Sequence, residues 1–94
     1  MHYVLRRLAA SLLVALLATP TAFAVPDEQR TVNVNQDSAE VIADVLDGVG
    51  LSRAAAIVEY REAYGDFVEL DDLVDVRGIG ERTVAANAER IRFE

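Results

Sequence analysis

Leu46-Asp47-Gly48-Val49-Gly50 and, 30 residues further on, Val76-Arg77-Gly78-Ile79-Gly80 decide how this chain folds. Each is an apolar residue, a charged one and a Gly-apolar-Gly triplet, and each lies between two stretches with helical spacing. Ahead of the first triplet, Ala39, Ile42, Val45 and Leu46 share one face of a helix. Asp37 or Ser38 can cap that helix, and Glu40 in its first turn complements the dipole. Behind the triplet, a helix over about 52–64 buries Ala54, Ile57 and Val58 and is ended by Gly65. The second triplet is framed the same way. A short helix capped by Asp71 turns Leu70, Leu73 and Val74 inward, and a helix over about 81–91 aligns Val84, Ala88 and Ile91. Superposing the triplets lays Leu46 on Val76 and Ala54 on Val84, so the chain repeats one helix-turn-helix unit that buries its apolar face by pairing with its copy. The expected fold is all-α: a tandem helix-hairpin-helix of four to five short helices over residues 32–94.

Outward from the repeat, residues 31–35 alternate polar and apolar, which suits an extended lead-in pressing Val32 and Val34 onto the domain. Residues 25–31, short and polar with Pro26, read as a flexible leader. Residues 1–24 read as a secretory signal: Arg6 and Arg7, an apolar run over 8–18 broken by Ser11, Pro20, and a small-x-small exit at Ala22-Phe23-Ala24. That run is well short of the roughly twenty residues needed to cross a bilayer. Cleavage after Ala24 and a destination beyond the inner membrane, the periplasm of a Gram-negative cell, are the expectation. Tyr60, Tyr64 and Phe67 are assigned to packing.

Composition excludes whole classes of chemistry. Cysteine is absent and His2 is the only histidine, so once the signal is removed no Ser/His/Asp or Cys/His nucleophilic site and no thiolate metal site can be assembled. Asp71, Asp72 and Asp75 lack the spacing of a calcium loop, and no acid, base or metal partner accompanies them for hydrolysis. No enzyme and no metal site are expected. The net charge is -7, every basic residue is arginine, and loss of Arg6 and Arg7 makes the balance -9. Such a surface repels phosphate at Debye range, so any nucleic-acid contact must be local.

The triplets supply a local site. Their glycines allow backbone conformations closed to other residues and leave no side chain between turn and ligand. The amides of Gly50, Gly80 and the residues just after them then sit bare at a helix N-terminus, where the dipole favours an anion. Val49 and Ile79 point inward and anchor each turn. Two such turns related by pseudo-twofold symmetry could each hold a phosphate on opposite strands of one duplex without touching base edges.

Val32-Asn33-Val34-Asn35, Leu46-Asp47-Gly48-Val49-Gly50, Ile57-Val58-Glu59-Tyr60-Arg61, Gly65-Asp66-Phe67, Asp71-Asp72-Leu73 and Val76-Arg77-Gly78-Ile79-Gly80, in this order, resemble the ComEA helix-hairpin-helix family over about residues 32–93. The resemblance implies non-sequence-specific binding of double-stranded DNA, and the role of a soluble periplasmic receptor that retains incoming DNA during transformation, alongside DNA-uptake proteins. It implies no cofactor beyond a monovalent cation on turn carbonyls. Carried onto this sequence, the phosphate site comprises Gly48, Val49, Gly50, Ser52 and Arg53 in the first hairpin, and Arg77, Gly78, Ile79, Gly80, Arg82 and Thr83 in the second. The chain departs from the family at Asp47, where proline is frequent, in offering Arg53 and Arg82 instead of lysine, and in Glu81 directly after Gly80.

An alternative stays open on the residues alone: the triplets are structural turns of a helical protein-interaction module of the cell envelope, and Arg53, Arg77 and Arg82 are solvated or paired with Asp47 or Glu81.

Overall fold

A computed structural model describes Pro26 and residues 29–94. The expected signal, residues 1–24, lies outside the described residues. In chain order the elements are β1 (Val32–Asn33), α1 (Ala39–Val45), α2 (Leu51–Tyr64), a 3-10 helix η1 (Leu70–Asp75), α3 (Glu81–Asn87), a 3-10 turn (Ala88–Arg90) and β2 (Ile91–Arg92). The fold is the expected small helical domain of two hairpins, α1 with α2 and η1 with α3, around one core of Ile42, Val49, Ala54, Ile57, Phe67, Leu73, Val76, Ile79 and Val84.

Ser38, the cap of α1, accepts from the Val41 N–H through its hydroxyl at 3.3 Å. Asp37 instead accepts from the Asn33 N–H at 2.8 Å and shapes the bend before the helix. Gly65, at φ +99°, ends α2. Tyr60 stacks on buried Phe67 with centroids 5.3 Å apart and meets Tyr64 at 4.7 Å, an aromatic row whose outer member is 77% exposed.

Three local expectations are corrected. Asp71 does not cap the third helix. Glu69 is its cap residue, and the Asp72 carboxylate reaches back to accept from the Val68 and Glu69 N–H groups at 2.9 and 3.1 Å, closing the start from the third helical position. That helix is 3-10, so Leu73 and Val76, three apart, both face inward. The fourth helix stops at Asn87, and Ile91 belongs to a strand.

The strand has a distant partner. Val32 pairs with Ile91 and Asn33 with Arg92 in a parallel two-residue ladder, extended by the Val34 N–H to the Arg92 carbonyl at 3.0 Å. The lead-in valines are buried because this ladder draws the lead-in against the C-terminal segment. Asn35 fastens the junction: its Nδ2 donates to the Phe67 and Phe93 carbonyls and its Oδ1 accepts from the Phe67 N–H. Arg61 of α2 donates to the Val34 and Asp37 carbonyls at 2.8 and 2.7 Å, and Arg30 pairs with Asp44 at 2.7 Å.

Candidate nucleic-acid interface

The two turns are built alike. Val49 and Ile79, 3% and 6% exposed, go down into the core and set the depth of each triplet. Gly48 and Gly78 stand at φ +76° and +90°, a region that costs other L-residues roughly 1–2 kcal/mol. Gly50 and Gly80 return to extended backbone and act as N-caps of α2 and α3.

Neither α2 nor α3 has a side chain bonded to its first-turn amides, whereas α1 is closed by Ser38. Among α1, α2 and α3 the bare starts are therefore the two at the glycine turns, and their N–H groups are available to an external acceptor. A methyl group built on Gly48, Gly50 or Gly80 would meet nothing within 4 Å. The turns are exposed and open to a ligand.

Side chains around the turns divide sharply. Of the arginines, Arg30 and Arg90 are in ion pairs, and Arg61 and Arg92 donate to backbone carbonyls. Arg77 and Arg82 are exposed and, among the described residues, have no ion pair or hydrogen bond. The basic charge not engaged by the structure thus lies beside the turns. Arg82 occupies the first turn of α3, while Arg77 also lines an open groove against α2 with Tyr60, Tyr64 and Asp75. Ser52 is exposed on the first turn of α2, and Thr83 is half-buried with its carbonyl accepting from Asn87.

Arg53 does more than line the first turn. Its Nη1 donates to the Gly48 carbonyl at 3.3 Å, and its side chain lies over Gly78, whose added Cβ would stand 3.2 Å from Nε and 3.3 Å from Cγ. One side chain therefore touches both turns. It also bears on the monovalent cation: the Gly48 carbonyl, an oxygen such an ion would use, already faces a guanidinium, so the first turn fits the ion poorly. Among the described residues no group of three or more histidine, cysteine or acidic side chains could hold a metal.

Asp47, the acidic neighbour of the first turn, is neutralised from the second hairpin. Its carboxylate pairs with Arg90 at 2.7 Å, so it is not the partner of Arg53 or Arg82. Its backbone is held by Asn87, 1% exposed, whose Oδ1 accepts from the Asp47 N–H at 2.8 Å and whose Nδ2 donates to the Asp47 carbonyl at 2.9 Å. Asn87 and Arg90 escape a reading by periodicity. The available signal was a polar residue on the inward stripe of α3 between Val84 and Ile91, at the position where the first repeat has Ile57.

On the far side of α2, partial burial, followed by the charges of Asp75 and Asp72, pushes the Tyr60 phenol above its ordinary value. Tyr60 serves as a packing residue, stacked on Phe67.

Comparison with known proteins agrees with the fold. The helix-hairpin-helix motif family matches residues 27–92. An uncharacterized protein of Haemophilus influenzae is 42% identical over 62 residues, covering 66% of this chain and 55% of that protein. ComE operon protein 1 of Bacillus subtilis is 42% identical over 52 residues, 55% of this chain and 25% of that protein. The human endonuclease/exonuclease/phosphatase family domain-containing protein 1 is 38% identical over 66 residues, 70% of this chain but 11% of that protein. The chain spans about half or less of the length of these relatives.

Proposed function

Because the chain belongs to the helix-hairpin-helix family, we propose that it holds double-stranded DNA by its phosphates, without reading sequence, and acts as an exported DNA receptor in the periplasm during DNA uptake. The observation that carries the reading is the coincidence of two bare helix starts with Arg77 and Arg82, which among the described residues have no ion pair or hydrogen bond. Each turn offers backbone N–H groups from Gly50 or Gly80 onward to one phosphate, and the helix dipole adds to the attraction. Arg82 and Arg77 reach the flanking phosphates, with Ser52 and Thr83 as hydroxyl donors. A backbone site carries no base code, so the contacts position the protein and leave sequence unread.

The acidic remainder of the surface limits attachment to the turns and keeps affinity modest, on the order of 10⁻⁴ to 10⁻⁶ M. The protein is a binder rather than an enzyme: the polar side chains around the turns are those of arginine, serine, threonine and the carboxylates Asp47 and Glu81, with no histidine or cysteine to activate a nucleophile. Export rests on the N-terminal pattern of residues 1–24, and the uptake role on the likeness to ComE operon protein 1.

The test is fluorescence anisotropy of a labelled random-sequence duplex titrated with the protein at several salt concentrations. Saturable binding that weakens with salt, with a slope of about two to four ions, is the expected result. No binding at low salt would overturn the reading. The net charge of -7 favours a helical protein-interaction module of the envelope as the replacement.

A further inference from the structure

We propose that Arg53 and Asn87 are positioning residues that cross-brace the two turns into one rigid grip, and that this brace makes the site select duplex over single-stranded DNA. The inference rests on the phosphate-binding reading above and adds the feature that decides substrate class.

The braces run in opposite directions. Arg53, on the first turn of α2, reaches from the first hairpin to the second: its guanidinium is tied to the Gly48 carbonyl while its stem packs on Gly78. Asn87, at the end of α3, reaches from the second hairpin to the first. It holds the N–H and carbonyl of Asp47 while its Nδ2 also donates to Thr83 of its own helix. Arg90 adds the carboxylate of the same Asp47 at 2.7 Å. The residue before one turn and the leading glycine of the other are thus each fastened from the opposite hairpin, so neither turn can shift without dragging a hydrogen bond or a packed side chain.

The glycines make this close approach possible. Gly78 carries no Cβ where the Arg53 stem lies, and an added Cβ would stand 3.2 Å from its Nε, close enough that the stem must give by a few tenths of an ångström. Asn87 is the one buried polar residue among the described residues, and no buried polar side-chain atom among them lacks a partner. A buried amide that spends its hydrogen bonds on a residue of the opposite hairpin fixes relative position, because any slip leaves polar groups unsatisfied.

Rigid spacing matters because the two phosphates of a duplex sit at a fixed separation and those of a single strand do not. A braced pair of turns presents its two sites at one fixed separation, so once one phosphate of a duplex is held the second binds intramolecularly at high effective concentration. A single strand must be ordered first, and that ordering cost offsets the gain.

The experiment compares duplex and single-stranded oligonucleotides of one sequence by anisotropy, with the full chain and its Arg53→Met and Asn87→Ala variants, across a salt series. Arg53→Met retains an apolar stem at an exposed position, so folding is not at stake there, and circular dichroism checks Asn87→Ala. The wild type is expected to prefer the duplex. In both variants duplex affinity should fall by about tenfold and single-strand affinity by much less, so that the preference collapses. Equal losses on both DNAs for Arg53→Met, with the salt slope lower by about one, would make Arg53 an ordinary phosphate contact and overturn the brace. A wild type that binds both forms equally, or an Arg53→Met variant that keeps the full preference, would also overturn it while leaving phosphate binding in place. A wild type that binds neither DNA defeats the phosphate reading itself, and the brace with it.

Discussion

The two hairpins share a backbone and exchange their charges. In the first, Asp47 precedes the triplet and Arg53 follows it; in the second, Arg77 precedes and Glu81 with Arg82 follows. Their leading helices differ too. α1 is α-helical and the Leu46 N–H donates to Ile42, four residues back, whereas η1 is 3-10 and the Val76 N–H donates to Leu73, three back. Yet both triplets keep a positive-φ glycine, a buried apolar residue and a bare helix start. The difference teaches that the anion site belongs to the backbone. Flanking side chains can be permuted without disturbing it, provided that an adverse charge such as Asp47 is neutralised elsewhere, here by Arg90.

The most disruptive way to break the likeness is to fill the leading glycines. Gly78→Ala should destabilise the protein by more than the roughly 1–2 kcal/mol of the backbone conformation alone, because the new methyl meets Arg53 at 3.2 Å. Gly48→Ala, with the same kind of backbone but open space, should cost only the conformational part, and urea denaturation will rank them. Equal losses would mean that Arg53 does not press on the second turn.

Next in size is Asn87→Ala, expected to cost about 1–3 kcal/mol as the Asp47 amide and carbonyl lose their partner. Amide hydrogen exchange should quicken at Asp47 in the first hairpin, although the mutation lies in the second. An effect confined to α3 would deny the link.

A smaller change sharpens the comparison with α1. Gly80→Asp supplies the side-chain cap that Ser38 gives α1, at backbone angles of φ -105° and ψ 172° that suit it. Thermal stability should rise slightly, by about a few tenths of a kcal/mol, while DNA affinity falls, since the carboxylate occupies the amides and repels phosphate. Stability and binding moving in the same direction would contradict an anion site at that helix start.

The smallest effect concerns the contact between α2 and η1. Tyr60 is held protonated beyond its ordinary pKa of 10.0, so the folded state retains a proton that the unfolded chain releases. Stability contributed by Tyr60 is complete below about pH 10 and is lost as pH rises through its higher folded value. Tyr60→Phe should flatten that alkaline decline in a series of denaturation curves. An unchanged slope would show that neither burial nor the charges of Asp75 and Asp72 raise the phenol above its ordinary value.

Much of the fold was legible because its signals are local. The triplets, the inward Val49 and Ile79, the extent of α2 and a cap of α1 at Asp37 or Ser38, of which the structure uses Ser38, follow from residue type and spacing within one or two turns of chain. The sequence offers Asp71 as the cap of η1 because neighbouring carboxylates have similar local chemistry; in the structure Glu69 is the cap residue and Asp72, at the third helical position, closes the start. The C-terminal strand was hidden because Ile91 continues a helical spacing from Val84; what ends the helix at Asn87 and extends the chain is its pairing with Val32.

By itself the sequence determined that two glycine turns would recur 30 residues apart, each followed by a helix start without a side-chain cap and each anchored by one apolar residue. These are properties of φ, of Cβ and of hydrophobic period, and they need no distant partner. The tertiary structure decided how the turns stand to one another and which charges remain available. Both outcomes depend on side chains meeting across the fold: Arg53 over Gly78, Asn87 on Asp47 and Arg90 on the Asp47 carboxylate. Hydrogen bonds and ion pairs of that kind are set by distance in space, which the order of residues along the chain does not specify.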